Sequence, residues 1–191
     1  MASVAALAAL LRAGQHEVLA DWYRAEHAGV YRLCFGLLRH EADAEDAAQD
    51  AMLHLYDQLS RWNPERAYGP WRQRVVVNLC RDRMRRQGAR RRAEEAPRLL
   101  GADVPEPAVV VQQDETQELL RQALGLLPPR EREVFVLREL EGESVGDVAE
   151  ALGIGSSTVR SLATLARRRL RERLAPRLGL EEARPERGGA S

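Results

Sequence analysis

In the segment ADAEDAAQDAMLHLY at 42–56, Asp46, Gln49, Asp50 and Leu53 stand at i, i+3, i+4 and i+7, the spacing that gathers side chains on one face of a helix. Carboxylates one turn apart have two chemical uses. Glu45, Asp46 and Asp50 can hold a divalent metal for nuclease chemistry, or Asp46 and Asp50 can receive a basic helix of another protein. A plainly solvated face is the third reading. Metal chemistry needs further acids from a second element beside a basic groove, and the sequence nominates none, so no metal, no cofactor and no catalytic residue is expected.

A second constellation lies further on, where Arg74, Asn78, Arg81 and Arg85 fall at spacings of 4, 3 and 4 along one side of a helix. Guanidinium groups pair with phosphates, and an asparagine amide can meet a base edge. Trp62, Tyr68 and Trp71 flank the preceding loop, and flat rings among cations suit single-stranded DNA, whose unstacked bases need surfaces to lie on. Trp62 and Trp71 are equally well explained as core fillers.

The third constellation has the form of a DNA-reading helix-turn-helix. Ser144 with Asp147 three positions on is a near match to a capping box, Gly153 ends the short helix, Ile154-Gly155 makes the turn, and Ser156 or Ser157 caps a second helix. In that second helix Val159, Leu162, Ala163, Ala166 and Leu170 can face inward. Thr158, Arg160, Ser161, Thr164, Arg167 and Arg168 then face outward, as a helix entering the major groove requires. Two antiparallel bundle helices with a solvated arginine-rich tail would be the bland alternative, but the glycine, the caps, the apolar positions and the outward arginines agree on the first.

The elements that must position these residues are helical throughout. From Glu17 to Leu38, Leu19, Trp22, Tyr23, Val30, Leu33, Cys34, Leu37 and Leu38 recur at mostly helical spacing. Asp43 is a candidate cap for the next helix, in which Ala48, Ala51, Met52, Leu55 and Leu59 form an apolar stripe opposite the acidic face. Asn63-Pro64 and Gly69-Pro70 bracket a loop, and a helix from about Trp71 to about Gln87 follows, with Trp71, Val75, Leu79 and Asp82 along one face. Gly88, Pro97, Gly101, Pro105 and Pro107 mark a linker, in which Val109-Val110-Val111 is too short and too solitary to be a strand. Leu119, Leu120, Ala123, Leu124 and Leu127 resume the helical pattern, and Pro128-Pro129 opens a helix running to Gly142.

Composition narrows the function classes. The 191 residues allow one ordinary domain or two small ones, and aromatics at 5% leave most of the core to Leu, Val and Ala. All 29 basic residues are arginine, which excludes every mechanism that needs a lysine, among them the Gly-Lys phosphate loop and Schiff-base chemistry. Cys34 and Cys80 lack CxxC partners, and the apolar stretch Val4 to Leu11 is too short for a signal or membrane segment, so the expected location is cytoplasmic with no membrane insertion. The net charge of zero averages over poles: residues 81–92 hold seven Arg against Asp82, residues 93–118 seven acids against Arg98, and residues 160–173 six Arg against Glu172. Two basic patches around an acidic stretch suggest two contacts with a polyanion.

Taken with WRQRVVVNLCRDRMRR at 71–86, LPPREREVFVLRELEGESVGDVAEALGIGSSTVRSL at 127–162 and ARRRLRERL at 166–174, the segment at 42–56 gives the chain a resemblance to bacterial RNA polymerase sigma factors of the extracytoplasmic-function (ECF) group, over about residues 18–174. The resemblance implies an all-α protein of two small domains: an extension at 1–15, sigma domain two at 16–92, a flexible acidic linker at 93–116, sigma domain four at 117–178 and a disordered tail at 179–191. It places Asp46, Gln49, Asp50 and Leu53 against the largest subunit of core polymerase, and the helix-turn-helix against the second-largest. It assigns Trp62, Arg66, Trp71, Arg74, Asn78, Arg81 and Arg85 to recognition and melting of the minus ten element, and Ser157, Thr158, Arg160, Ser161, Thr164, Arg167 and Arg168 to the minus thirty-five element. An anti-sigma factor is a further candidate partner.

The sequence departs from the family where Thr-Val-Lys-Ser-Arg is usual. Here the run is Thr158-Val159-Arg160-Ser161-Leu162, with Leu165 at a second position often basic, which removes two phosphate or base contacts. The expected role is a promoter-specificity subunit that binds and does no bond chemistry. The rivals are an autonomous helix-turn-helix regulator that dimerises on palindromes, and the metal-dependent nuclease.

Overall fold

The computed structural model describes residues 3–95 and 115–174, and every regular element among them is helical. Eight α-helices follow in order: α1 (Val4–Arg12), α2 (Leu19–Leu38), α3 (Glu41–Gln58), α4 (Tyr68–Glu95), α5 (Glu115–Gly125), α6 (Pro129–Phe135), α7 (Val145–Leu152) and α8 (Ser156–Leu174). Short 3-10 turns stand at His16–Val18 and Leu59–Arg61, and a π turn at Val136–Leu140 prolongs α6. Most of the expected linker, with Val109 to Val111, and the expected tail lie outside the described residues.

Helices α1 to α4 form the first bundle. On α3 the small residues Ala44, Ala47, Ala48 and Ala51 are buried with Met52 and Leu55. They share one core with Val30, Leu33, Cys34 and Leu37 of α2 and Val76, Val77 and Cys80 of α4. Alanine at the contact lets helix axes approach closely, which is how a chain poor in aromatics still fills its interior. The Sγ atoms of Cys34 and Cys80 meet at 3.8 Å as free thiols, and the Cys80 thiol is pushed up by its hydrogen bond to Cys34 and by burial. The region expected to be only an extension carries α1, capped by the Ser3 hydroxyl, with Leu7, Ala8 and Leu11 buried in the same core.

Several local expectations change. The cap of α3 is His40, whose Nδ1 accepts from the amide of Asp43; Asp43 lies in the first turn, where its charge faces the helix N-terminus. On α2, Leu19 and Tyr23 are exposed, and the helix instead buries Glu26 one turn after Trp22. Helix α4 starts before Trp71 and continues through Gly88 to Glu95, into the expected linker. Its deepest residues are Gln73, Val76, Val77 and Cys80, whereas Trp71, Val75 and Leu79 are half-buried. Three neighbours surround α4, namely α2, α3 and α7, so no single apolar stripe describes it.

Helices α5 to α8 form the second bundle around Leu124, Leu127, Val134, Leu137, Val148, Val159, Ala163 and Ala166. Pro129 at the first position of α6 suits a helix start, and Glu131 of α6 accepts both Nε (3.0 Å) and Nη2 (3.2 Å) of Arg169 on α8. Arg132 is buried without a carboxylate. Its Nε and Nη2 donate to the carbonyls of Leu124 and Leu127, and its Nη1 reaches the Leu37 carbonyl on α2 at 3.2 Å. Burial and the nearby Arg39 bring its guanidinium down to about 10.

That bond belongs to a seam in which the second bundle lies against the first. A Cβ on Gly36 of α2 would sit 2.9 Å from Val136, so the absence of a side chain is what admits the π turn. Across the same seam Arg81 of α4 donates from Nε and Nη2 to the two oxygens of Glu133 on α6, each at 2.7 Å.

Candidate nucleic-acid interface

On α3 the stripe of buried alanines fixes the helix rotation, and Asp46, Gln49, Asp50 and Leu53 project together on the opposite side, as the spacing predicts. Leu53 is 68% exposed, which is unusual for a leucine on a helix whose other apolar residues are buried. The element that faces the carboxylates is α4, and it supplies a cation: Arg83 Nη2 lies 3.0 Å from Asp46 and 3.5 Å from Asp43, and its Nη1 3.6 Å from Asp50. A guanidinium at the centre of these acids neutralises the site a metal would need, and no cluster of ligating side chains occurs among the described residues. The arrangement is an acidic rim beside one bare leucine, suited to a basic, partly apolar protein surface.

The start of α4 is anchored by a buried polar chain. Tyr68 donates from its hydroxyl to Glu26 at 3.0 Å and accepts from Trp22 Nε1 at 3.3 Å, while Arg72 reaches Glu26 at 3.5 Å. Burial pushes the Glu26 carboxyl above its ordinary value, with Arg72 and the Tyr68 hydroxyl pulling the other way. Burial also raises the Tyr68 hydroxyl. This chain settles the role of Trp62. The ring is buried edge-on against Tyr68, with centroids 5.1 Å apart, and its Nε1 donates to the Arg66 carbonyl at 3.3 Å. Trp62 is therefore a core and loop-shaping residue, and no face of it is free for a base.

Trp71, Arg74 and Asn78 do come together. They line a groove of about 1190 Å3 between α3 and α4, whose other wall includes His54 and Gln58 of α3. Arg81 and Arg85 leave this group: Arg81 turns to Glu133, and Arg85 is exposed beside Asp82. In their place Asp82, Arg86 and Arg90 complete the groove wall. These follow Arg74 and Asn78 at a strict spacing of four, a signal present in the sequence beside the 4-3-4 pattern. Arg66 is exposed in the loop, 3.7 Å from Glu150 of α7.

The helix-turn-helix forms as its caps require. The Ser144 hydroxyl accepts from the amide of Asp147 at 3.1 Å and donates to its carboxylate at 2.6 Å, and Gly153 closes α7 at φ +65°. Helix α8 begins at Ser156, so Gly155 precedes it and neither serine is the cap; the Val159 amide bonds the Gly155 carbonyl at 3.1 Å. Val159, Ala163, Ala166 and Leu170 are buried, and Ser157, Thr158, Arg160, Ser161, Thr164, Arg167 and Arg168 are exposed. Arg167 pairs with Glu139 at 2.6 Å and Arg168 with Glu172 at 3.8 Å, whereas Arg160 makes no ion pair among the described residues. Leu162 is half-buried against the core, and Leu165 is half-exposed beside the arginines.

Two family models match the chain in this order, Sigma-70 region 2 over residues 22–90 and Sigma-70 region 4 over residues 117–170. Among curated proteins the chain is 34% identical to the ECF RNA polymerase sigma factor SigM of Mycobacterium tuberculosis over 158 residues, 83% of this chain and 78% of that one. It is 26% identical to the ECF RNA polymerase sigma factor SigW of Bacillus subtilis, covering 86% and 92%. Among solved structures, CnrH in complex with the cytosolic domain of CnrY superposes with a TM-score of 0.66 at 23% identity, over 90% of this chain and 97% of that one. The sigma factor RpoE of Bartonella quintana, in complex with the anti-sigma factor NepR, gives 0.65 at 21%, over 81% and 94%. Order of regions and length of match together assign the class: the chain belongs to the ECF group of RNA polymerase sigma factors.

Proposed function

We propose that this chain is a promoter-specificity subunit whose three exposed faces take three partners. Asp46, Gln49, Asp50 and Leu53 dock on the largest subunit of core polymerase; the α3–α4 groove, with Trp71, Arg74 and Asn78, receives the melted minus ten strand; and the outward side of α8 reads the minus thirty-five element. Arg66, Arg81 and Arg85 act on the phosphates around the melted segment. The division is sigma domain two at 16–92 and sigma domain four at 117–178. No residue of the chain does bond chemistry.

The observation that carries this reading is the groove, because it brings a flat ring, two guanidinium groups and an amide onto one wall, next to the acidic rim of α3. Capture of unstacked bases there would offset the few kcal/mol that each disrupted base step costs. An anti-sigma factor is a natural further partner, since CnrH and the Bartonella quintana RpoE are both seen with one. The autonomous-regulator reading draws no support from the acidic rim or the groove.

Run-off transcription from a pool of promoters of a GC-rich bacterium tests the proposal, using core polymerase with and without the chain. Discrete start sites that depend on the chain are expected. Absence of both co-elution with core and start-site selection would sink it.

A further inference from the structure

The seam between the two bundles contains what a nucleic acid would otherwise supply. Glu133, 3% exposed, presents both oxygens to Arg81 at 2.7 Å, the forked geometry that a guanidinium also makes with a phosphate. Burial beside this partner strengthens the grip, and the Glu133 bond raises the Arg81 guanidinium above its ordinary value. Glu150 of α7 lies 3.7 Å from Arg66, and its backbone carbonyl accepts from Arg74. Glu143, just before α7, accepts from Gln73, which is wholly buried. Residues of the proposed minus ten face are thus engaged by oxygens of the second bundle.

The seam differs in chemistry from the two cores it joins. Its centre is one apolar contact, Gly36 against Val136, surrounded by charged and amide groups, and the Gln73 carbonyl oxygen is buried there without a partner. A polar contact with an unsatisfied group is what a separable interface looks like, whereas the interior of each bundle is almost wholly apolar. Nothing comparable covers the exposed face of α8 or the acidic rim of α3 among the described residues.

We infer that the carboxylate surface of α6 and α7 is an internal competitor for nucleic acid, holding the free chain closed over the minus ten face of α4. The inference rests on the proposed function for the identity of that face. In the closed form Arg81 and Arg66 are spent on Glu133 and Glu150, and a DNA backbone laid along α4 has to displace both. Docking on polymerase would then open the seam and expose the arginines where promoter DNA is available. The leucine and the acids of α3 stay accessible throughout, so docking precedes opening.

The test uses the full chain without polymerase and a labelled random-sequence single strand of 20 nucleotides as probe, followed by anisotropy across a salt series. Gly36→Gln places a polar helix-forming side chain where Val136 sits and wedges the seam apart; Glu133→Gln keeps shape and removes the charge, and serves should the wedge disturb α2. Small-angle scattering reports the opening. Both variants are expected to bind the strand about tenfold tighter than wild type, within the usual range of intramolecular coupling. Their salt slope should be steeper by about 0.7 for each additional phosphate engaged. Adding Arg81→Ala to Gly36→Gln should erase most of the tightening. The inference is overturned by an opened variant with unchanged affinity, by wild type binding as tightly as the variants, or by a tightening that survives Arg81→Ala. Co-elution with core, measured on the same variants, reports separately on the proposed function, because the strand assay contains no polymerase.

Discussion

Helices α4 and α8 are both arginine-rich and both assigned to DNA, yet one is enclosed and the other open. The outward side of α8 is solvent-exposed from Ser157 to Arg168, and its buried side follows a single stripe, Val159, Ala163, Ala166 and Leu170. Helix α4 meets neighbours on three sides, so its cations are distributed: Arg72 to Glu26, Arg83 to the α3 acids, Arg81 to Glu133, with Arg74 and Arg86 in the groove. An open helix reads from its surface. An enclosed one reads only through the side left over, and it is through this helix that docking, melting and closure can be linked.

The sharpest way to separate the functions around α4 is to destroy docking alone. Asp46→Arg with Asp50→Arg should remove detectable co-elution with core polymerase. Stability should change by no more than about 1 kcal/mol, because the side chains are exposed and lose only partly screened contacts with Arg83. Retained co-elution at wild-type strength would show that α3 does not dock.

Next in size is the contrast between the two tryptophans. Trp62→Ala should cost about 3 to 5 kcal/mol in urea unfolding, as for a buried large-to-small change. Trp71→Ala, at a half-buried groove position, should cost clearly less and impair open-complex formation instead. Equal stability losses would erase the distinction between core filler and base platform.

A smaller effect divides α4 itself. On a pre-melted promoter Asn78→Ala should recover most of its lost transcription, since its partner is a base in the open strand. Arg81→Ala with Arg85→Ala should recover less, and its salt slope should fall by about one unit for each phosphate pairing removed. Equal rescue would show that the groove and the flanking arginines act in the same step. On α8, Arg160→Ala should lower affinity for minus thirty-five duplex by about 1 to 3 kcal/mol if it meets a base, and leave minus ten melting untouched.

The smallest expected effect concerns the Glu26 network beneath α4. Because burial raises the folded-state carboxyl above 4.5, the folded chain holds this proton more tightly than the unfolded one. The stability contributed by that protonation is complete below about 4.5 and is lost as pH rises through the raised value. Glu26→Gln, which cannot titrate, should therefore look least favourable relative to wild type at the acid end, and improve against it as pH rises across that window. Urea midpoints at a series of pH values check the sign, and a flat difference would mean that Glu26 keeps an ordinary carboxyl.

What the sequence determined by itself was local. The alanine stripe and the acidic rim of α3, the Ser144 cap, the Gly153 stop and the two sides of α8 were legible, because one apolar period and short-range hydrogen bonds decide them. Only the tertiary structure decided that His40 and not Asp43 caps α3, that Trp62 is buried, that Glu26 is interior, and that Arg74 and Asn78 share a groove with Arg86 while Arg81 does not. Each of these depends on a partner at least three positions away and mostly tens of residues distant, which periodicity along one helix does not encode. The seam is the extreme case. Gly36 and Val136, or Arg81 and Glu133, become neighbours only when two separately patterned bundles meet, and the reason lies in a missing Cβ and a buried carboxylate that no single segment announces.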